Sequence, residues 1–150
     1  MSESQAVAPG VGEARVPSVL FVCVKNGGKS QMAAALMRSI AGTAVDVHSA
    51  GTQPGEAVNT LSAEVVAEVG ASMDGEVPTA IDPDLLRNVD RVVVLGSEAV
   101  VAAVPGMRGS IETWETDEPS VRGIEGLDRM RLIRDDIAAR CQMLLEALRP

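Results

Sequence analysis

The stretch that most constrains the fold of this chain covers residues 19–32, V-L-F-V-C-V-K-N-G-G-K-S-Q-M. It begins with an apolar run rich in β-branched residues, the pattern of a strand buried on both faces. Two glycines follow, and Lys29-Ser30 then lead into an alanine-rich segment that favours a helix. A strand, a glycine loop and a helix start in this order predict a loop whose backbone N–H groups, with the helix dipole behind them, bind a tetrahedral oxyanion.

Cys23 ends the predicted strand and opens this loop. A cysteine at the end of a strand most often serves in packing. Here, however, the N–H groups that attract an anion also stabilise a thiolate, which is the nucleophilic form of cysteine. The loop therefore favours a catalytic nucleophile at Cys23. The predicted oxyanion loop consists of Val24, Lys25, Asn26, Gly27, Gly28, Lys29 and Ser30.

Strand-like and helix-like segments alternate along the rest of the chain. Further strands are predicted at residues 44–50, 90–96 and, with a weaker pattern, 110–114. Helices are predicted at residues 29–40, 59–69 and 126–148, with a short helix after Asp82-Pro83 and a helical turn from Ser97. This order predicts an α/β fold, a three-layer open sheet of about four parallel strands with helices on both faces, and ligands at the carboxyl ends of the strands.

The domain organisation follows from where apolar residues occur. Residues 1–15 are small and polar without a periodic apolar face, which predicts a disordered N-terminal tail. The chain as a whole is 46% hydrophobic, enough for one sizeable core. We expect residues 16–150 to form a single catalytic domain.

Charge and cysteine content narrow the possible functions. A formal net charge of -8 without a basic stripe disfavours a nucleic-acid partner. Two cysteines and one histidine, without ligand spacing, predict neither a disulfide framework nor a metal site, and no bound cofactor is expected. The N-terminus lacks an export signal, and no apolar run approaches the about 18 residues of a membrane span. The expected location is cytoplasmic.

Residues 23–32 resemble the C-x5-R-[ST] loop of the low-molecular-weight protein tyrosine phosphatases, and the Ser-Gln-Met continuation is most similar to their arsenate reductase branch, in particular the actinobacterial mycothiol-dependent reductases. Three further motifs stand in the family's order. They are Ser49-Ala50-Gly51, the strand V-V-V-L at residues 92–95, and the acidic segment W-E-T-D-E-P at residues 114–119. The resemblance extends over about residues 17–148 and implies the family's flavodoxin-like fold.

The resemblance also implies roles for single residues. Cys23 is expected to attack the oxyanion, Ser30 to donate to its sulfur, and Lys29 to offset the oxyanion charge, with Lys25 as a weaker candidate. Asn26 is expected to tie the loop together. The implied proton donor is the carboxylate before Pro119, which is Glu118, with Asp117 as the alternative.

Three departures from the family pattern bear on the substrate and the reductant. Lys29 replaces the loop arginine, so an ammonium point charge stands where the family has a bidentate guanidinium. The chain has no tyrosine, one phenylalanine and one tryptophan, too few to wall a phosphotyrosine pocket. Residues 95–104, after the third strand, contain no cysteine, whereas the thioredoxin-coupled arsenate reductases have a cysteine there.

The last predicted helix carries an apolar stripe that includes Cys141. This position lies about 20 Å along the helix from the end nearest the acidic segment, and a disulfide requires Cα atoms within about 7 Å. We therefore expect Cys141 to be a buried structural residue rather than a partner thiol for Cys23. Charged residues on the other face are expected to pair with one another, namely Arg129, Arg131 and Arg134 with Asp128, Asp135 and Asp136.

Without a partner thiol in the chain, the reductant has to come from outside. The leading hypothesis is an arsenate reductase in which an external low-molecular-weight thiol, mycothiol by resemblance, removes arsenic from Cys23 as a thiol adduct, with a glutaredoxin-like partner (mycoredoxin) acting downstream. Two alternatives stay open. One is a phosphatase acting on small phosphoesters, and the other is a non-catalytic oxyanion-binding module.

Overall fold

The computed structural model describes residues 15–149, so the predicted tail lies outside the described residues except for Arg15. The elements, in chain order, are β1 (Ser18–Cys23), α1 (Lys29–Ala41), β2 (Asp46–Gly51), α2 (Thr60–Ala67), α3 (Pro83–Asn88), β3 (Arg91–Leu95), β4 (Ser110–Trp114) and α4 (Gly126–Leu148). Short 3-10 turns cover Gly42–Ala44 and Pro119–Arg122.

The four strands form one parallel sheet in the order β2-β1-β3-β4. The prediction of an open parallel sheet is therefore confirmed. From β1 the chain passes first to β2 on one side, and β3 then pairs on the other side of β1. In an open α/β sheet, ligands bind where the strand order reverses in this way. That point lies at the carboxyl ends of β1 and β3, next to Cys23.

Two hydrophobic clusters cover the two faces of the sheet. Val19 and Phe21 of β1 pack with residues of α1, α2 and α4, whereas Leu20 and Val22 pack with Leu86 of α3 and its neighbours. The alternation of β1 side chains between the clusters explains why its sequence is apolar throughout. The predicted three layers, with helices on both faces, are confirmed.

Side chains cap the amino-terminal ends of α2 and α3. The Asn59 side chain accepts a hydrogen bond from the Ser62 N–H, and the Asp82 side chain accepts one from the Asp84 N–H, with Pro83 at the first position of α3. The predicted helical turn from Ser97 is wrong, because residues 97–104 are irregular. Their β-branched valines favour extended backbone, and Ala99 packs against the cluster around α3.

The longest helix, α4, has a buried apolar stripe and a charged outer face. Ile133 and Ile137 are the most buried of its aliphatic residues, at 1% and 0% exposure. Among the described residues, no helix is both long and apolar enough to cross a membrane. The stripe instead packs α4 against α1 and α2.

A cluster of hydrogen bonds fastens the start of the domain to the sheet through Asp90. The Asp90 carboxylate accepts from the Arg15 guanidinium at 2.8 and 3.0 Å and from the Ser18 N–H at 2.8 Å. These donors lower the pKa of Asp90 to about 2, with the Arg15 hydrogen bonds as the largest cause. The carboxylate is largely shielded from solvent, with 18% of its side chain exposed.

We expect Asp90→Asn to lower the free energy of unfolding at neutral pH by about 1–2 kcal/mol, because charge-assisted hydrogen bonds are lost. A carboxyl whose folded pKa is depressed stabilises the fold above its unfolded pKa of about 3.9. The difference between variant and wild type should therefore shrink as the pH falls from about 4 towards the folded pKa of about 2. Urea denaturation of both proteins across this pH range measures the difference in their free energies of unfolding. Asp128→Asn, at a carboxylate that is 80% exposed, is the control and should change little.

Candidate functional site

A cleft of about 530 Å³ opens at the carboxyl ends of β1 and β3. Cys23 lies in its wall together with predicted loop residues and with residues that follow β3 and β4. The residues lining it are Cys23, Val24, Lys25, Lys29, Leu95, Gly96, Ser97, Glu98, Glu115, Thr116, Glu118 and Arg129. The parallel sheet thus brings the predicted nucleophile and one of the two predicted acids to one site.

The loop between β1 and α1 is held from behind by the segment that follows β2. The N–H groups of Thr52, Gln53, Gly55 and Asn59 donate to the carbonyls of Cys23, Val24, Lys25 and Gly27, at 2.6–3.1 Å. In a trans peptide the N–H points opposite to the carbonyl. Because these four carbonyls point backwards, the N–H groups of the next residues, Val24, Lys25, Asn26 and Gly28, point into the concave side of the loop. This arrangement can cradle an oxyanion.

Two donors meet the sulfur of Cys23. Its Sγ lies 2.9 Å from the Ser30 hydroxyl and 3.3 Å from the Asn26 backbone N–H. The Ser30 oxygen already accepts from the Asn26 side-chain amide at 2.7 Å, which leaves the hydroxyl hydrogen free to donate to sulfur. Hydrogen bonds directed at a thiolate stabilise it over the thiol. The geometry therefore suits a cysteine that reacts as a nucleophile.

Asn26 connects the loop to the rest of the site. It is fully buried and has a φ of 54°, in the left-handed region that asparagine adopts more readily than most residues. Its side-chain oxygen accepts from the Thr79 N–H at 2.9 Å and from the Gln31 amide at 3.2 Å. These two donors fix the orientation of the Asn26 amide, so that its nitrogen faces Ser30.

Gly51 explains the Ser-Ala-Gly motif at the end of β2. A Cβ at this position would lie 2.7 Å from the Val24 carbonyl oxygen and 3.0 Å from the Asn26 Cβ. Both distances are shorter than van der Waals contact. A glycine is thus required for the oxyanion loop to lie directly against the end of β2.

We expect Gly51→Ala to displace the loop and to lower the free energy of unfolding by about 2 kcal/mol, in the range of overpacking substitutions. Because the displaced atoms belong to the oxyanion loop, the affinity for inorganic phosphate should fall as well. Thermal denaturation and calorimetric titration with phosphate measure the two effects. Gly55→Ala, where the nearest atom would lie at 3.7 Å, is the matched control. Equal behaviour of both variants would contradict the steric explanation.

The two lysines of the loop differ in position. Lys29 is the first residue of α1 and is half-buried, whereas Lys25 is exposed. Both line the cleft. Within residues 15–149, neither ammonium group forms an ion pair. Both predicted lysines thus line the cleft that contains Cys23.

The two candidate acids face different surroundings. Glu118 lines the cleft and accepts from Arg129 at 2.8 and 3.0 Å and from the Ser120 hydroxyl at 2.7 Å. Asp117 does not line the cleft, and its carboxylate accepts from Arg122 at 2.9 and 3.0 Å. Hydrogen bonds from Arg129, then Ser120, lower the pKa of Glu118 to about 2, and Arg122 lowers the pKa of Asp117. Both carboxylates are therefore ionised at neutral pH in this arrangement.

Of the basic residues that line the cleft, Arg129 is the one that the sequence did not place there. Its helical spacing predicts a pairing with a carboxylate of α4, but the structure pairs it with Glu118. Arg129 lies in the first turn of α4, and the 3-10 turn Pro119–Arg122 leads the chain from Glu118 towards this helix. Arg131 pairs with Asp128 as expected, and also with Glu68 of the segment after α2.

Cys141 has the buried position that the sequence predicts. It is 0% exposed, and its thiol donates weakly to the Ala33 carbonyl at 3.7 Å. Burial raises the pKa of Cys141 to about 12, so the thiolate is strongly disfavoured. Both cysteines are free. Cys141 thus packs α4 against α1 and is not poised to exchange with a disulfide or an adduct on Cys23.

The parallel sheet, the loop at its switch point and the cysteine that opens the loop define an α/β protein with a cysteine at the start of a loop that can cradle an oxyanion. Residues 18–150 match the family model described as low molecular weight phosphotyrosine protein phosphatase. The chain belongs to this family.

Several relatives of this chain are named arsenate reductases. An arsenate reductase of Brevibacillus brevis is 32% identical over 131 residues, which is 86% of this chain and 94% of that protein. A putative arsenate reductase of Halobacterium salinarum is 29% identical, with 87% of this chain and 92% of that protein covered. A solved structure of a thioredoxin-dependent arsenate reductase from Corynebacterium glutamicum superposes with a TM-score of 0.74 at 32% identity, covering 90% of this chain but 63% of that chain.

Proposed function

We propose that this protein is an arsenate reductase that uses Cys23 as nucleophile and an external low-molecular-weight thiol as co-substrate. The main supporting observation is that Cys23 opens a loop whose backbone N–H groups can cradle an oxyanion, while the second cysteine of the chain is buried in the core. Relatives named arsenate reductase, aligned over most of their length, support the substrate. Mycothiol is the external thiol that the family resemblance favours.

In the proposed first step, the Cys23 thiolate attacks arsenate, an S–As bond forms and one oxygen leaves as water after gaining a proton. The loop N–H groups and the two lysines stabilise the charge of the oxyanion. Ser30 donates to the sulfur while it is a thiolate. Arsenic stays pentavalent in this step, because no electron pair passes to it.

In the second step, the external thiol takes arsenic from Cys23, so that a new S–As bond replaces the old one and the Cys23 thiolate returns. The enzyme is then formally a transferase of arsenate to a thiol. Reduction to arsenite follows when a dithiol partner of the glutaredoxin (mycoredoxin) class attacks the sulfur of the adduct. A mixed disulfide forms, and the electron pair of the S–As bond passes to arsenic.

The leaving oxygen needs a proton, and Glu118 is the better placed of the two candidates because it lines the cleft. Asp117 stays the alternative, although Arg122 holds its carboxylate. Glu118 has to loosen its hydrogen bonds with Arg129 before it holds a proton at neutral pH, since those bonds keep its pKa at about 2.

The walls of the cleft support a small substrate. None of its lining residues is aromatic. Phe21 and Trp114 instead pack against each other in the core, with ring centroids 5.7 Å apart. A phenol ring would find no stacking partner among the described cleft residues, whereas arsenate needs none.

A thiol panel tests the proposal. The protein is incubated with arsenate and mycothiol, glutathione or thioredoxin, and arsenite release and the mass of Cys23 peptides are followed. We expect an arsenic–thiol adduct only with a small thiol, with arsenite released once a glutaredoxin-like protein is added. Sustained turnover with thioredoxin alone, the reductant in the name of the Corynebacterium relative, would refute the external-thiol proposal.

A phosphatase acting on small phosphoesters is the second candidate, favoured by the family to which the chain belongs. Phosphate and arsenate have the same tetrahedral geometry, so the cradle fits both. Hydrolysis of p-nitrophenyl phosphate faster than arsenate reduction would favour this candidate. Anion binding without turnover of either substrate, with any reductant, would indicate a non-catalytic binding module.

A further inference from the structure

A guanidinium from outside the oxyanion loop reaches the cleft. Arg129, in the first turn of α4, lines the same cleft as Cys23 and Lys29. Its Nε and Nη2 donate to Glu118 at 2.8 and 3.0 Å. Among the described residues, its Nη1 finds only the thioether sulfur of Met130, at 3.6 Å. Part of the guanidinium therefore has no oxygen acceptor.

We propose that Arg129 is a second ligand of the bound oxyanion and is exchanged between Glu118 and the substrate. Beside its backbone N–H groups, the loop has two charged side chains, Lys25 and Lys29, whose ammonium groups act as point charges. A guanidinium presents five N–H donors in a planar fork that matches two oxyanion oxygens. Arg129 thus supplies from α4 the bidentate donor that is missing from the loop at Lys29. This inference rests on the oxyanion site of the proposed function, but it holds for phosphate as well as arsenate.

The surroundings of Glu118 favour the exchange. When Arg129 turns towards the substrate, Glu118 keeps its hydrogen bonds from the Ser120 hydroxyl and N–H, at 2.7 and 3.3 Å. It is therefore not left without partners. The loss of the Arg129 hydrogen bonds and the approach of an anion both raise the pKa of a carboxyl group. Substrate binding would in this way turn Glu118 from a fixed carboxylate into a group that can hold the proton for the leaving oxygen.

The first test measures affinity for inorganic phosphate by calorimetry at low ionic strength, in the Cys23→Ser protein, where no covalent chemistry intervenes. Arg129→Gln should weaken binding about tenfold or more, as expected for a lost charge-assisted hydrogen bond. The phosphate affinity of Arg129→Lys should lie between that of the parent and that of Arg129→Gln. Arg131→Gln is the matched control on the same helix, because Arg131 bonds Glu68 and Asp128 and does not line the cleft. It should bind phosphate as the parent does.

The double variant Lys29→Arg with Arg129→Gln tests whether the two positions supply the same donor. We expect the loop arginine to recover most of the affinity lost with Arg129→Gln. Strict additivity of the two changes would show that they act independently, and it would contradict the proposal. Thermal denaturation of each variant establishes that it is folded.

Glu118→Gln tests the exchange through the sign of its effect. If Glu118 and the substrate compete for one guanidinium, Glu118→Gln tightens phosphate binding several-fold, and the gain disappears when Arg129→Gln is also present. Glu98→Gln, in the same cleft wall, measures the gain from removing a negative charge alone. Weaker binding in Glu118→Gln, or a gain that persists without Arg129, would overturn the exchange.

These outcomes are separable from those of the thiol panel, because phosphate binding requires no turnover. A protein that reduces no arsenate with any thiol but shows the shifts above would refute the proposed function alone. A protein that reduces arsenate, but whose Arg129→Gln variant binds phosphate as tightly as its parent, would refute this inference alone.

Discussion

Cys23→Ser is expected to abolish thiol-dependent arsenate reduction, lowering the rate by about 10⁴-fold or more, as is typical when a nucleophile is removed. The serine hydroxyl is a far weaker nucleophile than a thiolate, and the loop has no group placed to act as a base for it. Arsenite release with mycothiol and a glutaredoxin-like partner measures the loss. Phosphate binding should persist, because the loop N–H groups remain.

Cys141→Ala is the matched control for this variant. Cys141 is 0% exposed, so its truncation leaves a small cavity and should lower the free energy of unfolding by about 1 kcal/mol, while turnover with the external thiol stays close to that of the wild type. If Cys141→Ala is folded but its turnover is reduced as strongly as that of Cys23→Ser, Cys141 takes part as a second thiol. The external-thiol proposal would then be wrong.

The fold was predictable because its two central strands are buried along most of their length. β1 and β3 read as continuous apolar runs, and the loop with its glycines marks where β1 ends and α1 begins. The order of elements then allowed few arrangements other than a parallel open sheet. Residues 97–104 were not predicted correctly, because their alanines favour a helix whereas their valines favour extended backbone. Packing of Ala99, Val101 and Val104 against the cluster around α3 accompanies the irregular conformation that the segment adopts.

The candidate site was predictable as far as it is local in sequence. The loop from Val24 to Ser30 is one continuous motif, so its cradle follows from spacing and glycine content. Arg129 enters from α4, and its pairing with Glu118 depends on how α4 leaves the segment after β4. No periodicity in the sequence encodes that approach. The same holds for Thr79, whose N–H reaches Asn26 from a distant segment.

Asn26 holds the oxyanion loop in place through its side-chain hydrogen bonds, so its substitution is expected to lower the stability of the protein strongly. Asn26→Ala should lower the free energy of unfolding by about 2–4 kcal/mol, or roughly 10 °C in melting temperature. The substitution removes the oxygen that accepts from the Thr79 N–H and from the buried Gln31 amide. It also places alanine at a φ of 54°, where asparagine is better tolerated. Thermal and urea denaturation measure the change. Asn59→Ala, which removes a helix cap outside the cleft, should cost about 1 kcal/mol.

Asn26→Asp separates the structural role of this residue from its effect on Cys23. The aspartate keeps an oxygen for Thr79 and Gln31 but loses the donor to Ser30, which lies 2.7 Å from the Asn26 amide nitrogen. It also places a negative charge beside the thiolate and the oxyanion. We therefore expect a smaller loss of stability than with Asn26→Ala, but at least an about tenfold slower alkylation of Cys23 by iodoacetamide. Cys141 is buried, so alkylation of the folded protein reports on Cys23 alone. If Asn26→Asp reacts as fast as wild type, the chain of hydrogen bonds from Asn26 through Ser30 does not control the reactivity of the sulfur.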